Sequence, residues 1–316
     1  MSTTGTQRTG PGGLADLLAT LGRGWVRDSP LPWGKPRAVR ALNAYLRDHP
    51  RRRVVETRSG ARFAVDTQDL IQRYLYLFGV WEPHMTHWLR GRLAPGDCFV
   101  DVGANIGVFS VLASGLVGER GRVVAVEASP VFHRRLEQQR ALNGCRNIRA
   151  VNAAVSDVRR TLTFVLASSA NMGANSIVPW DGPAESSFDI EAVPLPELLL
   201  PREIATARVV KIDVEGAEGA VVRGLAPLLE RLRPDAEITV EVTPDRMARL
   251  GDSAEDLLRT MTDAGYHVYR LANGYAADSY PRILHDGPLA PVRWEGPVTE
   301  ESDLVFSRTD AATLTP

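Results

Sequence analysis

An apolar strand that runs straight into a glycine turn, F-V-D-V-G-A-N-I-G at residues 99–107, constrains this chain more than any other feature. About one crossover later a second apolar strand, V-V-A-V-E-A-S-P at 123–130, ends in the carboxylate of Glu127. Strand, glycine turn, helix and acid-tipped strand, in that order, build a nucleotide-type cofactor site at the carboxyl edge of a parallel sheet. The details of the turn decide which cofactor. A dinucleotide site wants G-x-G-x-x-G, because a pyrophosphate must approach both backbone and helix N-terminus closely. Here Asn105 stands at the middle glycine position, between Gly103 and Gly107. A bulkier residue there is tolerable for S-adenosylmethionine, which has no pyrophosphate and presents an amino-acid moiety, a ribose diol and an adenine.

Each of these parts finds a candidate partner. Asp101 is placed to accept from an ammonium group or a water bound to it. Gly103 leaves the backbone open to close approach, Asn105 is placed to hold the amino-acid moiety, and Gly107 opens the following helix. Glu127, two acceptor oxygens at the tip of the second strand, matches the two donors of a ribose diol. Ala128 and Ser129 continue that rim, with Ser129 also a natural helix cap. The segment A-A-V-S-D at 153–157 follows the third strand, where Asp157 could accept from the adenine amine or simply sit in a turn.

The rest of the chain supports a layered α/β fold. Strands are expected at 98–102, 122–127, 148–152, 208–214 and 237–242, with helices at 106–116, 130–142, 217–231 and 253–264. Strands alternating with helices imply right-handed βαβ units and a mostly parallel sheet with helices on both faces. Strands at 266–271 and 303–306, with no helix-length pattern between them, complete a seven-stranded sheet as an antiparallel edge. Segments 161–166 and 188–193 read as an added pair. Residues 1–13 read as a disordered tail. Residues 14–26 and 37–46 have helical spacing, 54–65 alternates around Ser59-Gly60 as a hairpin, and 70–78 and 82–93 are short helices. Residues 1–95 therefore read as a helical and hairpin cap on a cofactor-binding domain at 96–310.

A second strong signal is K-I-D-V-E-G-A-E at 211–218. A fully buried parallel strand should be almost continuously apolar, yet Lys211, Asp213 and Glu215 alternate toward its carboxyl end. Methyl transfer is an in-line displacement, and an alcohol acceptor needs a base to take its proton. Asp213 is the first candidate for that base or for orienting the acceptor. Lys211, Glu215 and Glu241 stand in reserve, the last on the neighbouring strand. The bland alternative is an Asp213–Lys211 charge pair, with Glu215 and Glu218 favouring a helix N-terminus. Asp213 with Glu241 offers two carboxylates for Mg2+, but nothing else resembles a metal cluster, and no metal is expected. His84 and His87, three apart on a helix, lack an accompanying ligand pattern and read as a packed or surface pair.

Composition narrows the partners. A formal net charge of -1 argues against nucleic acid, which needs a concentrated positive field. The one dense basic run, Arg51 to Arg53, reads as solvated surface or a contact for an anionic partner. Cys98 and Cys145 read as small apolar residues rather than a disulfide framework. No apolar run approaches the length of a membrane span and the N-terminus has no signal-peptide pattern, so a cytoplasmic location is expected. Lys35 and Lys211 are the only lysines, a bias toward arginine of the kind GC-rich bacterial genomes impose.

Taken together these motifs resemble the FkbM family of class I S-adenosylmethionine-dependent methyltransferases, over roughly residues 70 to 270. The match includes G-V-W-E-P at 79–83, the glycine turn, V-E-A-S-P, N-A-A-V-S-D at 152–157, the N-S of a loop at 171–176, and K-I-D-V-E-G-A-E, which is the most specific of them. The resemblance implies a Rossmann-like fold and S-adenosylmethionine as cofactor, with S-adenosylhomocysteine as product. It implies O-methylation of a hydroxyl on a small natural-product or sugar-type acceptor in bacterial secondary metabolism. It also supports Asp101, Gly103, Asn105 and Glu127 as cofactor residues and puts Lys211, Asp213 and Glu215 at the active edge. Asp213 borders the cofactor as well. Glu82, Asn175 and Ser176 fall on the acceptor side. The competing readings are methylation of a carboxylate or nitrogen on a peptide-like substrate, a dinucleotide-dependent oxidoreductase, and a non-catalytic binding module. The oligomeric state stays open, a homodimer being one option.

Overall fold

The computed structural model describes residues 13–29, 33–166, 175–176 and 186–315. Two helices, α1 (Leu14–Asp28) and α2 (Lys35–Asp48), precede an antiparallel hairpin of β1 (Arg52–Glu56) and β2 (Arg62–Asp66). Helices α3 (Leu70–Phe78) and α4 (Pro83–Arg92) follow. The alternating part then runs β3 (Cys98–Val102), α5 (Val108–Val117), β4 (Arg122–Val126), α6 (Pro130–Leu142) and β5 (Ile148–Val151). A side sheet comes next, from β6 (Ala154–Val155), β7 (Arg160–Leu166), β8 (Asn175–Ser176) and β9 (Ser186–Val193). Short helices α7 (Leu195–Leu198) and α8 (Pro201–Thr206) lead to β10 (Ala207–Ile212), α9 (Glu218–Leu229) and β11 (Glu237–Val242). The chain closes with α10 (Pro244–Arg249), α11 (Ala254–Asp263), β12 (His267–Arg270), α12 (Tyr280–Asp286), β13 (Val292–Arg293) and β14 (Ser302–Ser307).

The central sheet has the order β13-β12-β14-β11-β10-β3-β4-β5. Strands β5, β4, β3, β10 and β11 are parallel, and β14, β12 and β13 add antiparallel pairs. The order reverses between β3 and β10, and at such a switch point crossovers leave on opposite faces and open a crevice at the carboxyl ends. The sheet is Rossmann-like and mostly parallel as expected, but it has eight strands rather than seven. Strand β13 is two residues long, Val292 and Arg293, too short to carry an alternation signal. A helix, α12, also lies between β12 and β14 where none was expected; it opens with Pro281 in its first turn.

Side chains alternate between the two faces of the sheet. Val100, Val102, Val124, Val126, Val210 and Ile212 pack against α8, α9 and α11. Phe99, Val123, Ala125 and Val209 pack on the other face against α3 to α6, in a hydrophobic cluster that continues through the hairpin to α1 and α2. The segment before residue 96 thus shares its core with one face of the sheet. The same alternation puts Asp101, Lys211, Glu241 and Asp303 on that cap-covered face, in line with Phe99, Val209 and Val305.

Arg51 departs from the solvated reading of its run. It is buried, with its guanidinium bonded to the Tyr76 hydroxyl at 2.7 Å and paired with Asp16. Arg52 stays at the surface, beside Asp66. Among the described residues no helix is long and apolar enough to cross a membrane.

Candidate active site

A cavity of about 260 Å3 opens over the switch point, between the carboxyl ends of β3 and β10. Strand register brings its charged groups together. Lys211 lies opposite Asp101 across the β10–β3 pair, and Glu241 lies opposite Asp303 across β11–β14. The Lys211 ammonium donates to Asp213 Oδ2 at 2.8 Å and sits over the Phe109 ring, 5.1 Å from its centroid. Burial alone would lower the Lys211 pKa, but Asp213, Asp101 and Glu82 around it raise it, so it stays charged. Burial alone would raise Asp213, but Lys211 and a hydrogen bond with Glu241 outweigh it and hold Asp213 below the ordinary carboxylate range. Glu241 goes the other way. Its burial and the charge of Asp213 push it well up, so of the two carboxyls Glu241 is the one that favours its protonated form.

Three residues other than glycine have left-handed backbone among the described residues: Glu82 (φ 40°), Asn105 (φ 51°) and Glu215 (φ 58°). All three line this cavity. Such conformations cost about 1–3 kcal/mol each and persist where surrounding structure over-determines them, most often at functional sites. Glu82 is held by Pro83 in the first turn of α4 and by the Tyr280 hydroxyl, which accepts from the Glu82 backbone N–H at 3.2 Å. Its carboxyl, driven up by burial and by Asp303, accepts from the Asn273 amide, which also donates to Asp303 at 3.0 Å. Glu215 faces Arg246 of α10.

On the β3–β4 side, Asp101 Oδ2 accepts from the Ser110 hydroxyl at 2.5 Å, while Oδ1 is buried with no hydrogen-bond partner. A buried acceptor in that state fits a cationic donor such as the ammonium of S-adenosylmethionine. The Glu127 carboxylate accepts the backbone N–H of Asn105 at 2.7 Å on one oxygen and that of Ser129 at 2.8 Å on the other. Two of about four acceptor positions are used, which leaves two for a diol. Burial pushes Glu127 up to about 7 against the pull of those two N–H groups. Apolar side chains of Phe132, Leu162 and Phe164, with 153–155, wall the far end, where an adenine fits.

Several expected site residues do something other than line the cavity. Gly103 does line it, but its glycine is required by the fold: a Cβ there would overlap the Asp213 carbonyl oxygen. Gly107 lies outside the lining and precedes α5 with φ 84°, where a Cβ would come within 3.1 Å of Leu136 Cγ. Ala128 is in the lining. Ser129 caps α6 and reaches the site only through its N–H to Glu127. Asp157 is not brought to the cavity; Arg223 of α9 takes its carboxylate at 3.1 Å, so it is no partner for an adenine amine. Asn175 and Ser176 lie on β8, with side chains outside the described residues, as does 171–174 of the same loop. His84 is buried, and its Nδ1 accepts from the Leu289 N–H at 2.8 Å.

The structure adds residues that the sequence did not single out: Trp81, Asn273, Tyr275, Asp303 and Arg246. Trp81 neighbours Glu82 in an already noted motif, and Asp303 is a charge in a strand otherwise buried and largely apolar. Tyr275 sits in a loop with no periodic signal. The oxygens of Asp213, Glu215 and Glu241 lie within 4.8 Å of one another, close enough to share a divalent cation. Lys211, Arg246 and Tyr275 also engage these three carboxyls.

A family model described as the methyltransferase FkbM domain matches residues 101–268. Among curated proteins no match was found. Similar solved structures include the methyltransferase FkbM from Methylobacillus flagellatus KT, at 16% identity and TM-score 0.41, covering 75% of this chain and 52% of that one. A precorrin-6y C5,15-methyltransferase from Geobacter metallireducens GS-15 is 15% identical with TM-score 0.40, over 71% of this chain and 87% of that one. A SAM-dependent O-methyltransferase from Thermotoga maritima is 13% identical with TM-score 0.40, over 84% and 80% of the two chains.

Proposed function

Because the chain belongs to the FkbM methyltransferase family, and so is an S-adenosylmethionine-dependent enzyme, we propose that it transfers the methyl group to a hydroxyl of a small natural-product or sugar-type acceptor. The observation that carries this reading is the Asp213 carboxylate at the cavity wall, 2.8 Å from the Lys211 ammonium and within 4.8 Å of the Glu241 carboxyl. The bound cofactor supplies an electrophilic methyl group on a sulfonium. Asp101 and Asn105 would hold its amino-acid end, Glu127 its ribose diol, and the apolar wall of Phe132 and Phe164 its adenine. Asp213 would take the proton of the acceptor hydroxyl, whose oxygen gains the methyl group as the S–C bond breaks and S-adenosylhomocysteine leaves as a neutral thioether, while Lys211 keeps Asp213 ionised beforehand and fixes its orientation. General-base help of this kind contributes about 10²–10⁴-fold, and alignment against a wall that includes Trp81 and Tyr275 contributes comparably.

Charge separates this reading from its competitors. Glu82, Asp101, Asp213, Glu215 and Glu241 face a cavity whose cations are Lys211 and Arg246. With Glu82 and Glu241 pushed toward their neutral forms, the remaining acids and cations nearly balance, and such a wall suits a neutral polyol better than a charged acceptor. A neutral amine needs little help from a base, so an ionised Asp213 would have less to do. In this reading the cap before residue 96 supplies Trp81 and Glu82, the domain from 96 to 310 binds the cofactor and supplies the other acceptor-side groups, and no nucleic acid, membrane or metal takes part. A bacterial, cytoplasmic role in secondary metabolism is the setting that agrees with it.

Methyl-labelled S-adenosylmethionine incubated with the enzyme and fractionated small-molecule extracts tests the acceptor class. Label that survives mild alkali and passes a cation exchanger marks an ether, the expected product. Release as methanol marks an ester and retention marks an amine; either would overturn the hydroxyl reading.

The ribose assignment has its own pH signature. Diol donors favour the ionised Glu127, and its carboxyl is pushed up to about 7. Raising the pH through that value therefore fills the binding-competent form. S-adenosylhomocysteine is expected to bind about tenfold more weakly at pH 6 than at pH 8, by calorimetry, and Glu127→Gln to lose that dependence. A wild-type affinity flat across this range would remove Glu127 from the ribose.

A further inference from the structure

We propose that Tyr275, on the loop after β12, is a positioning residue that fixes the orientation of the Glu241 carboxyl beside Asp213. The inference rests on the reading of Asp213 as the base, and concerns what sets the state of that base. Tyr275 lines the cavity, and its hydroxyl donates to Glu241 Oε1. Two contacts leave the ring little freedom. Its face stacks on Trp81, centroids 5.5 Å apart and planes 15° from parallel, and its backbone carbonyl accepts from the Tyr74 hydroxyl at 2.7 Å. The hydroxyl is therefore delivered by a pinned backbone and a stacked ring rather than by a swinging side chain.

The surroundings make the direction of this hydrogen bond one-way. Glu82 faces the group from the turn before α4, Lys211 and Asp213 from the end of β10, Asp303 from β14, and Arg246 from α10 faces Glu215 and Asp213. Burial and the nearby carboxyls push the Tyr275 hydroxyl well up, so it stays protonated and acts as a donor. With Oε1 occupied by Tyr275, the proton on Glu241 belongs on its other oxygen, turned to Asp213. Asp213 is then held from two sides, by the Lys211 ammonium and by Glu241. The two residues that determine this, Trp81 and Tyr275, come from the cap and from the C-terminal segment, on either side of the sheet's cofactor strands in sequence.

The test needs no known acceptor. Infrared spectroscopy of the full chain follows the carbonyl band of buried protonated carboxyls with pH, and Glu241→Gln is expected to delete the component that Glu241 contributes. In Tyr275→Phe, which keeps the ring and its stack, the ionised form of Glu241 loses a donor. Its midpoint is expected to move up by about one pH unit. Trp81→Leu, which removes the stack but keeps the hydroxyl, is expected to move it much less. An unchanged midpoint in Tyr275→Phe overturns the proposal, as does an equal shift in Trp81→Leu, which would make packing the cause. S-adenosylhomocysteine titration of each variant reports separately that the site is folded. Failure of the wild type to bind it would count against the functional reading and leave the Tyr275 result standing.

Discussion

Asparagine in place of Asp213 is expected to slow methyl transfer by about 10²–10⁴-fold, the range general bases contribute. Asparagine keeps the shape and can still accept from Lys211, but it cannot take a proton. The loss should appear in the rate at saturating S-adenosylmethionine and far exceed any loss of S-adenosylhomocysteine affinity measured on the same sample. Lys211 holds the Asp213 carboxyl below its ordinary value. The sign follows: the base is ionised above that value and is lost as pH falls through it. Wild-type activity limited by this group should therefore persist to a pH below the usual carboxylate range before it declines. A variant with near wild-type turnover would point to an acceptor that needs no base, such as an amine.

That Asp213 deserved attention was legible in the sequence, because charge at 211, 213 and 215 breaks the apolar rule for a buried parallel strand. What the sequence could not give was the third dimension of that pattern. Lys211 is one of two lysines in a chain that otherwise uses arginine, yet only the register with Asp101 and the contact with Phe109 show why a compact, single-point cation fits there. Glu241 was reachable from the usual strand order, and its partner Asp303 only from the antiparallel pairing of β11 with β14.

Elements with a strong local period came out well: the cofactor strands and helices, the hairpin around Ser59-Gly60, and the pairing of β7 with β9. Elements fixed by tertiary contacts did not. Strand β13 exists because β12 offers it an edge. Arg51 looked like its solvated neighbours until Tyr76 and Asp16 closed over it. Asp157 occupies a turn position that suits a ligand or a structural ion pair equally well, and Arg223, far along the chain, decides between them. Tyr275 shows the same limit at the site itself, since a loop residue is placed by its anchors and not by a period.

Gly103→Ala is expected to be the most damaging single-methyl change in the protein. The backbone there has φ 82°, and a Cβ would overlap the Asp213 carbonyl oxygen while lying 2.8 Å from its carbonyl carbon. Neither atom is a flexible side-chain end that can swing away. The Asp213 N–H donates to the Val102 carbonyl at 3.0 Å, so relieving the clash means breaking the contact that joins the ends of β3 and β10. Left-handed backbone costs an alanine about 1–2 kcal/mol, and overpacking adds about 1–3 kcal/mol. A total near 4 kcal/mol lowers the melting temperature of a chain this size by about 6 °C. Because the displaced groups are Asp213 itself and the turn that carries Asn105, cofactor affinity should fall along with stability. Thermal melts with and without S-adenosylhomocysteine separate the two effects: the variant should lose both its intrinsic stability and most of the ligand-induced shift. A variant that melts like the wild type would mean that β3 and β10 can part at their carboxyl ends without cost, and the glycine would then have to be explained by the cofactor alone.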